Sequence, residues 1–369
     1  MKILHLLDTL SRGGAETLVL DVCRNAGRAG LDIDFLTSSG GLLLEEFERS
    51  GVDFFRLKRR LPFDPVLVSG LRKIIINRKI DIIHTHQAVD ALHALVARSG
   101  LPARVVLTHH GIIPDRKNRI ALRLLIPRVD HNIVVAQSIK KDYEAELKLR
   151  FPAKTSVIYN GVDTERLAPS GHNFRAELGV STTAPLIGMI GHFYRESRKD
   201  QMTLCRALPK VFADFPDAHC VFAGQTMAGA ESKFADCVNF CRENGIDGKV
   251  NFLGGRSDVP DILSTLDLFV FSSFKEGLPI AVNEAMLTCV PVIVSDIEPL
   301  LEATANGEYG EVFPVKNAAV LSEKILKLLR DEDLRKNLAD KALKYARENF
   351  SIEAHLRELK KLYQSLLDV

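Results

Sequence analysis

Residues 266–296 read LDLFVFSSFKEGLPIAVNEAMLTCVPVIVSD. An apolar run rich in aromatic and β-branched residues (266–273) leads into a loop carrying lysine, glutamate and glycine. A helical stretch beginning near Pro279 follows, proline being favoured in a first helical turn. A second β-rich run (290–296) closes the segment. Strand, helix and strand in such a short span is a βαβ unit, whose two strands run parallel with the helix against one face.

The same rhythm extends in both directions. Upstream in the second half lie PLIGMIG (185–191), AHCVFAG (218–224) and VNFLGG (250–255). The first half offers strands at 2–7, 32–37, 53–57, 80–86, 104–109, 132–136 and 156–160. Helical patterns lie between them, including Ala15 to Ala29 and Val66 to Arg78. Strands and helices alternating in this way predict parallel sheets covered on both faces. The breakers in NGVDTERLAPSGHNF (160–174) mark a linker. The fold class is therefore α/β, with two doubly wound domains. SIEAHLRELKKLYQSLLDV (351–369) carries Ile352, Leu356, Leu359, Leu362, Tyr363 and Leu366 on one stripe, an amphipathic helix that needs a surface to dock on.

A chain of 369 residues is long enough for two cores. Its apolar content of 46% and charged content of 26% are those of a folded globular protein. The N-terminus lacks the longer apolar region of a signal peptide, and no run approaches a membrane span. A cytoplasmic protein is expected. The six cysteines are scattered, and Cys237 and Cys241, one helical turn apart, have no histidine at ligand spacing; reduced, mostly buried thiols are the expectation. Charge is uneven. Residues 1–160 hold 25 Lys/Arg against 17 Asp/Glu, and residues 161–369 hold 24 against 30. A basic first half suits an anionic partner.

In doubly wound sheets ligands gather beyond the carboxyl ends of the strands, so chemistry is sought there. After the first strand, Gly13 and Gly14 precede a helix and let backbone N–H groups approach an anion, although the dinucleotide Gly-x-Gly-x-x-Gly pattern is absent. His109 and His110 end the strand at 104–109, where a histidine either meets substrate or caps the strand. His84 and His86 end another strand without a cysteine or carboxylate at zinc spacing, and are read as sheet-end packing. Arg195, Arg198 and Lys199 cluster after 185–191, where an anionic ligand would lie. Glu276 follows the strand at 266–273, and Glu284 stands eight positions on. Helical side chains lean toward the N-terminus, so Glu284 is expected to point back toward the site Glu276 lines. Carboxylates beside helix-start N–H groups suit a ligand bearing both hydroxyls and phosphates.

In this order the pieces resemble a retaining glycosyltransferase of family 4, with the GT-B fold. The resemblance spans nearly the whole chain and rests on GGAE (13–16), THHG (108–111), YNGVD (159–163), GHFYRESRKD (191–200), FLGGRSDV (252–259) and KEGLPIAVNEA (275–285). It implies two Rossmann-like domains facing a central cleft: 1–162 for the acceptor and 163–350 for the nucleotide-sugar. It also implies that helix 351–369 crosses back onto the first domain. The implied roles place Glu284 on the ribose hydroxyls, Glu276 on the transferred sugar, and Lys199 with Arg198 on the departing diphosphate. Gly277, Leu278 and Gly14 would supply N–H donors, and His110 would meet the sugar near its reacting face.

Many family members carry arginine after the glycine at 191. This chain has His192, and Arg195 or Arg198 would stand in. The donor expected is a UDP- or GDP-sugar and the acceptor a saccharide or a lipid-linked one, with no metal cofactor and no nucleic acid. The setting implied is cell-surface polysaccharide or lipopolysaccharide assembly, with the inner face of the membrane as a peripheral partner. A nucleotide-sugar epimerase or hydrolase on the same fold, or a silent sugar-nucleotide-binding subunit, remains as an alternative.

Overall fold

A computed structural model describes residues 1–11, 13–111 and 116–368. The chain divides into two compact units, Met1–Val162 with Asn349–Val369, and Asp163–Glu348.

The first unit is built on a parallel sheet of β1 (Lys2–Leu7), β2 (Asp32–Thr37), β3 (Asp53–Arg56), β4 (Ile82–Thr85), β5 (Arg104–His109), β6 (His131–Val134) and β7 (Thr155–Val157), in the order β3-β2-β1-β4-β5-β6-β7. The second has β8 (Leu186–Ile190), β9 (His219–Ala223), β10 (Val250–Gly254), β11 (Leu268–Phe271), β12 (Val292–Ser295) and β13 (Glu311–Phe313), in the order β10-β9-β8-β11-β12-β13. Every pairing in both sheets is parallel. Central strands are apolar on both faces because helices cover both. In β1 the residues Ile3, Leu4, Leu6 and Leu7 are all buried, as are all four of β11. Chain direction across the sheet reverses between β1 and β4, and again between β8 and β11. These are the switch points where loops part and leave room for a ligand.

Local chemistry sets the helix ends. The helix Pro65–Arg78 starts where Asp64 accepts from the N–H groups of Val66 and Leu67, with proline in its first turn, and stops where Lys79 turns left-handed. The first helix, Gly14–Asn25, ends four residues before the expected Ala29, because the chain from Ala26 to Gly30 folds into turns. The sequence pattern missed β13. Only its pairing with β12, Val294 opposite Val312, makes three residues a strand.

The terminal helix Ile352–Leu367 belongs to the first unit. Val162 N–H donates to Phe350 O at 2.8 Å, and Ile352 N–H donates back to Val162 O at 2.9 Å. Gly161 is glycine for a physical reason: a Cβ there would lie 2.6 Å from the His355 Cβ. Ile352, Leu356, Leu359, Leu362 and Tyr363 are buried along one face, and each such side chain contributes roughly 1.5–3 kcal/mol.

Two features of composition find their place. Asp32 and Asp34 face cations on the sheet's amino edge: Lys2 Nζ lies 2.7 and 2.9 Å from them, and Arg78 Nε lies 2.8 Å from Asp34. Cys205, Cys220, Cys237 and Cys241 are buried in the core of the second unit, whereas Cys289 is exposed.

Candidate active site

In the second unit the loops after β8 and β11 lie side by side because their strands are neighbours at the switch point. Backbone bonds stitch them together. Phe274 N–H donates to Arg198 O at 2.6 Å, and Asp200 N–H donates to Ser272 O at 3.0 Å. This places Lys199 Nζ 2.5 Å from Glu276 Oε1, with the two side chains only 12% and 11% exposed. The ammonium also lies 4.2 Å from the centre of the Phe271 ring. The Ser273 hydroxyl is within reach of both Arg198 O and Glu276 Oε1, and its single proton serves one of them at a time. Burial pushes the Lys199 ammonium below its usual pKa, and the Glu276 charge opposes that shift. Gly191 makes room for this lysine, since a Cβ there would sit 3.2 Å from Lys199 Cε.

Glu284 lies on the helix Ile280–Leu287, for which Pro279 is the cap rather than the first helical residue. Its carboxylate is buried and accepts from Arg166 Nη2 at 2.9 Å. Burial raises its pKa, and Arg166 opposes the rise. The sequence reading missed Arg166. It lies in the breaker-rich segment 118 residues from its partner, and no local pattern marks it. Neighbouring Asn283 was missed too; it is fully buried, and neither of its amide atoms has a hydrogen-bond partner among the described residues. Leu278 is buried, and Gly277 is half-buried just before the helix.

The cation cluster divides. Lys199 joins Glu276, the Arg198 guanidinium lies over the Tyr194 ring at 5.0 Å, and Arg195 is exposed. His192 supplies no positive charge in place of arginine. Its Nδ1 accepts from Gln225 N–H at 2.9 Å, which requires a bare nitrogen, and burial with the nearby Lys199 charge pushes its pKa down. Arginine has no acceptor to offer at that position.

Gly14 and His110 lie in the first unit. Gly14 opens the first helix behind the cap Gly13, and the Glu16 carboxylate accepts from the Thr9 and Ser11 hydroxyls at 3.3 and 3.0 Å. His109 is the strand-capping member of its pair. Its Nε2 is 3.0 Å from Asn132 Oδ1, and its ring meets Tyr143 and Phe151 edge-on. His110 lines a cavity of about 380 Å³ together with His86, Gln87, Asn118 and Tyr143. His84 and His86 are more than sheet-end packing. Both are buried and hydrogen-bonded on both ring nitrogens. The sequence missed this because their partners lie on other strands and on the terminal helix.

Comparison with known proteins follows the same two-unit division. A model of the glycosyl transferases group 1 matches residues 172–345, and a model of glycosyltransferase family 4 matches residues 12–166. N-acetyl-alpha-D-glucosaminyl L-malate synthase of Bacillus anthracis is 23% identical over 97% of this chain and 95% of its own length. UDP-Gal:alpha-D-GlcNAc-diphosphoundecaprenol alpha-1,3-galactosyltransferase of Escherichia coli is 27% identical over 80% of each chain. Among solved structures, Anabaena HepE in complex with UDP and glucose superposes with a TM-score of 0.84 at 20% identity, covering 99% of this chain and 100% of that one. At that identity the likeness speaks for the fold alone. With both family models matched in order along the chain, the protein belongs to the family 4 glycosyltransferases and has their GT-B fold.

Proposed function

We propose that this enzyme moves a sugar from a nucleotide-sugar, a UDP-sugar first among candidates, to a saccharide or lipid-linked acceptor with retention of configuration. Cell-surface polysaccharide assembly is the proposed setting. The observation that carries the site assignment is the Lys199–Glu276 contact, a nearly buried ion pair at the switch point of the second sheet. Glycosyl transfer passes through an oxocarbenium-like state while negative charge grows on the leaving diphosphate. Lys199, with Arg198 next to it, is fixed in place to meet that charge. Glu276 then accepts from hydroxyls of the sugar and Glu284, oriented by Arg166, from those of the ribose. Backbone N–H groups of Gly277 and Leu278 serve the donor's phosphates; in the first unit Gly14 offers an N–H to an anion, and His110 serves the reacting sugar.

The Escherichia coli relative is named for a UDP-Gal donor and a diphosphoundecaprenol-linked acceptor, which supports this choice of substrates. The test is a thermal-shift screen with UDP, GDP and ADP. UDP is expected to raise the melting temperature most, and Glu284→Ala to abolish the shift. No shift with any of the three would sink the donor assignment.

In this reading the fixed cations do the work that a metal does in other transferases. The acidic pair Asp32 and Asp34 already faces Lys2 and Arg78. Transfer is expected to survive excess EDTA with less than about a twofold loss, because the charge stabilisation resides in protein groups. Complete loss restored by magnesium or manganese would contradict this.

The first unit's basic surface supports a docking role at an anionic membrane. No helix among the described residues is long and apolar enough to cross one. The helix Arg116–Leu125 turns Leu122 and Leu125 inward and exposes Arg116, Lys117, Arg119, Ile120, Arg123 and Leu124. Ile120 and Leu124 are each 53% exposed, so cations and apolar groups share the outer face. Of the second basic run, Arg59 is held by Asp8 at 2.6 Å, which leaves Arg56, Lys58 and Arg60 outward. Co-sedimentation with phosphatidylglycerol vesicles is expected at low salt and should fall steeply with added salt, each cation contributing about 1 kcal/mol. Charge reversal at Arg116, Lys117 and Arg119 should abolish it. Absence of binding at any salt, with full activity on a soluble acceptor, would refute the membrane role.

A further inference from the structure

One continuous hydrogen-bonded chain runs through the interior of the first unit and ends on His110. Thr108 Oγ1 is 2.6 Å from His84 Nε2, and His84 Nδ1 is 2.5 Å from the Tyr363 hydroxyl. That hydroxyl is 3.3 Å from His5 Nε2, His5 Nδ1 is 3.0 Å from His86 Nε2, and His86 Nδ1 is 2.9 Å from His110 Nε2. The far nitrogen, His110 Nδ1, is buried and has no hydrogen-bond partner among the described residues. Four elements contribute: β1, β4, β5 with the residue beyond each of the last two, and the terminal helix through Tyr363. His5 and His84 are direct register partners across the sheet.

We infer that His5, His84, His86, Tyr363 and Thr108 act as positioning residues that decide which ring nitrogen of His110 carries its proton. The inference rests on the reading that His110 meets the sugar. Neutral imidazoles and hydroxyls each bring one proton, and adjacent members share one per gap. Six groups therefore bring one proton more than the chain has gaps, and the extra proton must sit at an end. At the Thr108 end it would be a buried hydroxyl proton with no further partner among the described residues, while His110 Nδ1 stayed a bare lone pair. At the His110 end every other group is satisfied, and the proton on Nδ1 is presented at the residue lining the cavity. The second arrangement leaves fewer unpaired groups, so His110 is a hydrogen-bond donor toward a ligand oxygen. Burial keeps the imidazoles neutral, with His5 and His110 pushed down to about 3, and this preserves the one-proton-per-gap order.

His5, His84 and His86 also have ring nitrogens within 4.8 Å of one another, close enough to hold an ion. Every ring nitrogen of the three already faces a protein partner, so an ion would have to break the chain to bind.

The experiment is long-range proton–nitrogen correlation on protein with labelled histidine, with His110 assigned by its loss in His110→Ala. The expected result is a single His110 tautomer protonated at Nδ1 in the wild type. Tyr363→Phe, which removes only the bridging oxygen, and Thr108→Val, which removes the terminal donor, should each shift that tautomer or mix it. Melting curves identify any variant that fails to fold, and the two substitutions lie on different elements. In steady-state kinetics Tyr363→Phe should lower kcat about tenfold and change the donor KM less than about threefold, the mark of lost orientation rather than lost binding. Protonation of His110 at Nε2 in the wild type, a tautomer unmoved in both folded variants, or purified protein carrying one equivalent of zinc on these rings would each overturn the inference. If the tautomer responds but His110→Ala transfers sugar at the wild-type rate, the relay stands and the assignment of His110 to the sugar fails.

Discussion

Glu276→Gln and Lys199→Ala are each expected to lower the transfer rate at least about tenfold, since contacts to charged groups are worth roughly 1.5–3 kcal/mol. The two side chains touch at 2.5 Å in the free protein, so each substitution also strands its partner. Breaking a buried ion pair from one side costs about 3–5 kcal/mol, because the remaining charge has lost both water and counter-ion. The pair here is 11–12% exposed, which places the cost toward the lower end of that range. A double variant separates structure from chemistry. Lys199→Ala with Glu276→Ala should recover melting temperature relative to Lys199→Ala alone, because no uncompensated charge remains. Its transfer rate should stay as low as that of the worse single variant. Near-normal turnover in both single variants would remove these residues from the active site, and recovery of activity in the double variant would make their role purely structural.

Acid should unfold the first unit well before it titrates the bulk of the carboxylates. Six of its histidines have pKa values held far below the ordinary 6.5 by burial. His5 and His110 are near 3, His109 and His355 near 4, and His84 and His86 well below their usual value. The sign follows from proton uptake. Below pH 6.5 the unfolded chain binds protons at these rings while the folded chain does not, so stability is full above that pH and is lost as pH falls toward 3 to 4. Each histidine well inside this window removes about 1.4 kcal/mol per pH unit. Six together amount to several kcal/mol between pH 6.5 and 5.5, against a total domain stability of roughly 5–15 kcal/mol. Asp90 opposes the trend: burial raises its pKa, so it favours the fold as pH falls, but it is one group against six. The chain has no tryptophan, so urea unfolding is best followed by circular dichroism. The midpoint should drop sharply between pH 7 and pH 5, and proteolytic cuts should appear first within residues 1–162. A midpoint that stays level over this range would show that the histidines are not held neutral by the fold.

The alternation of β-rich runs with helical patterns was enough to specify two parallel-sheet units, because burial on both faces leaves a strand almost no choice but a continuous apolar run. Caps and breakers were equally legible. Asp64 and Pro65 start their helix by chemistry contained within a few residues. Glu276 and Lys199 could be nominated because each follows a strand, where a doubly wound sheet has room for ligands, and Glu284 because helical side chains lean back toward that end. What no local pattern contains is strand order. Lys199 meets Glu276 across 77 residues only because β8 and β11 are neighbours. Arg166 reaches Glu284 across 118, and Tyr363 reaches His84 across 279. Those contacts depend on which strands pair and on where the returning helix docks, both decided by packing of whole elements. His84, His86 and His192 show the consequence. Their residue types are plain in the sequence, but whether a ring is packed, charged, or one link in a hydrogen-bonded chain depends on what faces its two nitrogens. Neighbours in space, not neighbours in sequence, supply those partners.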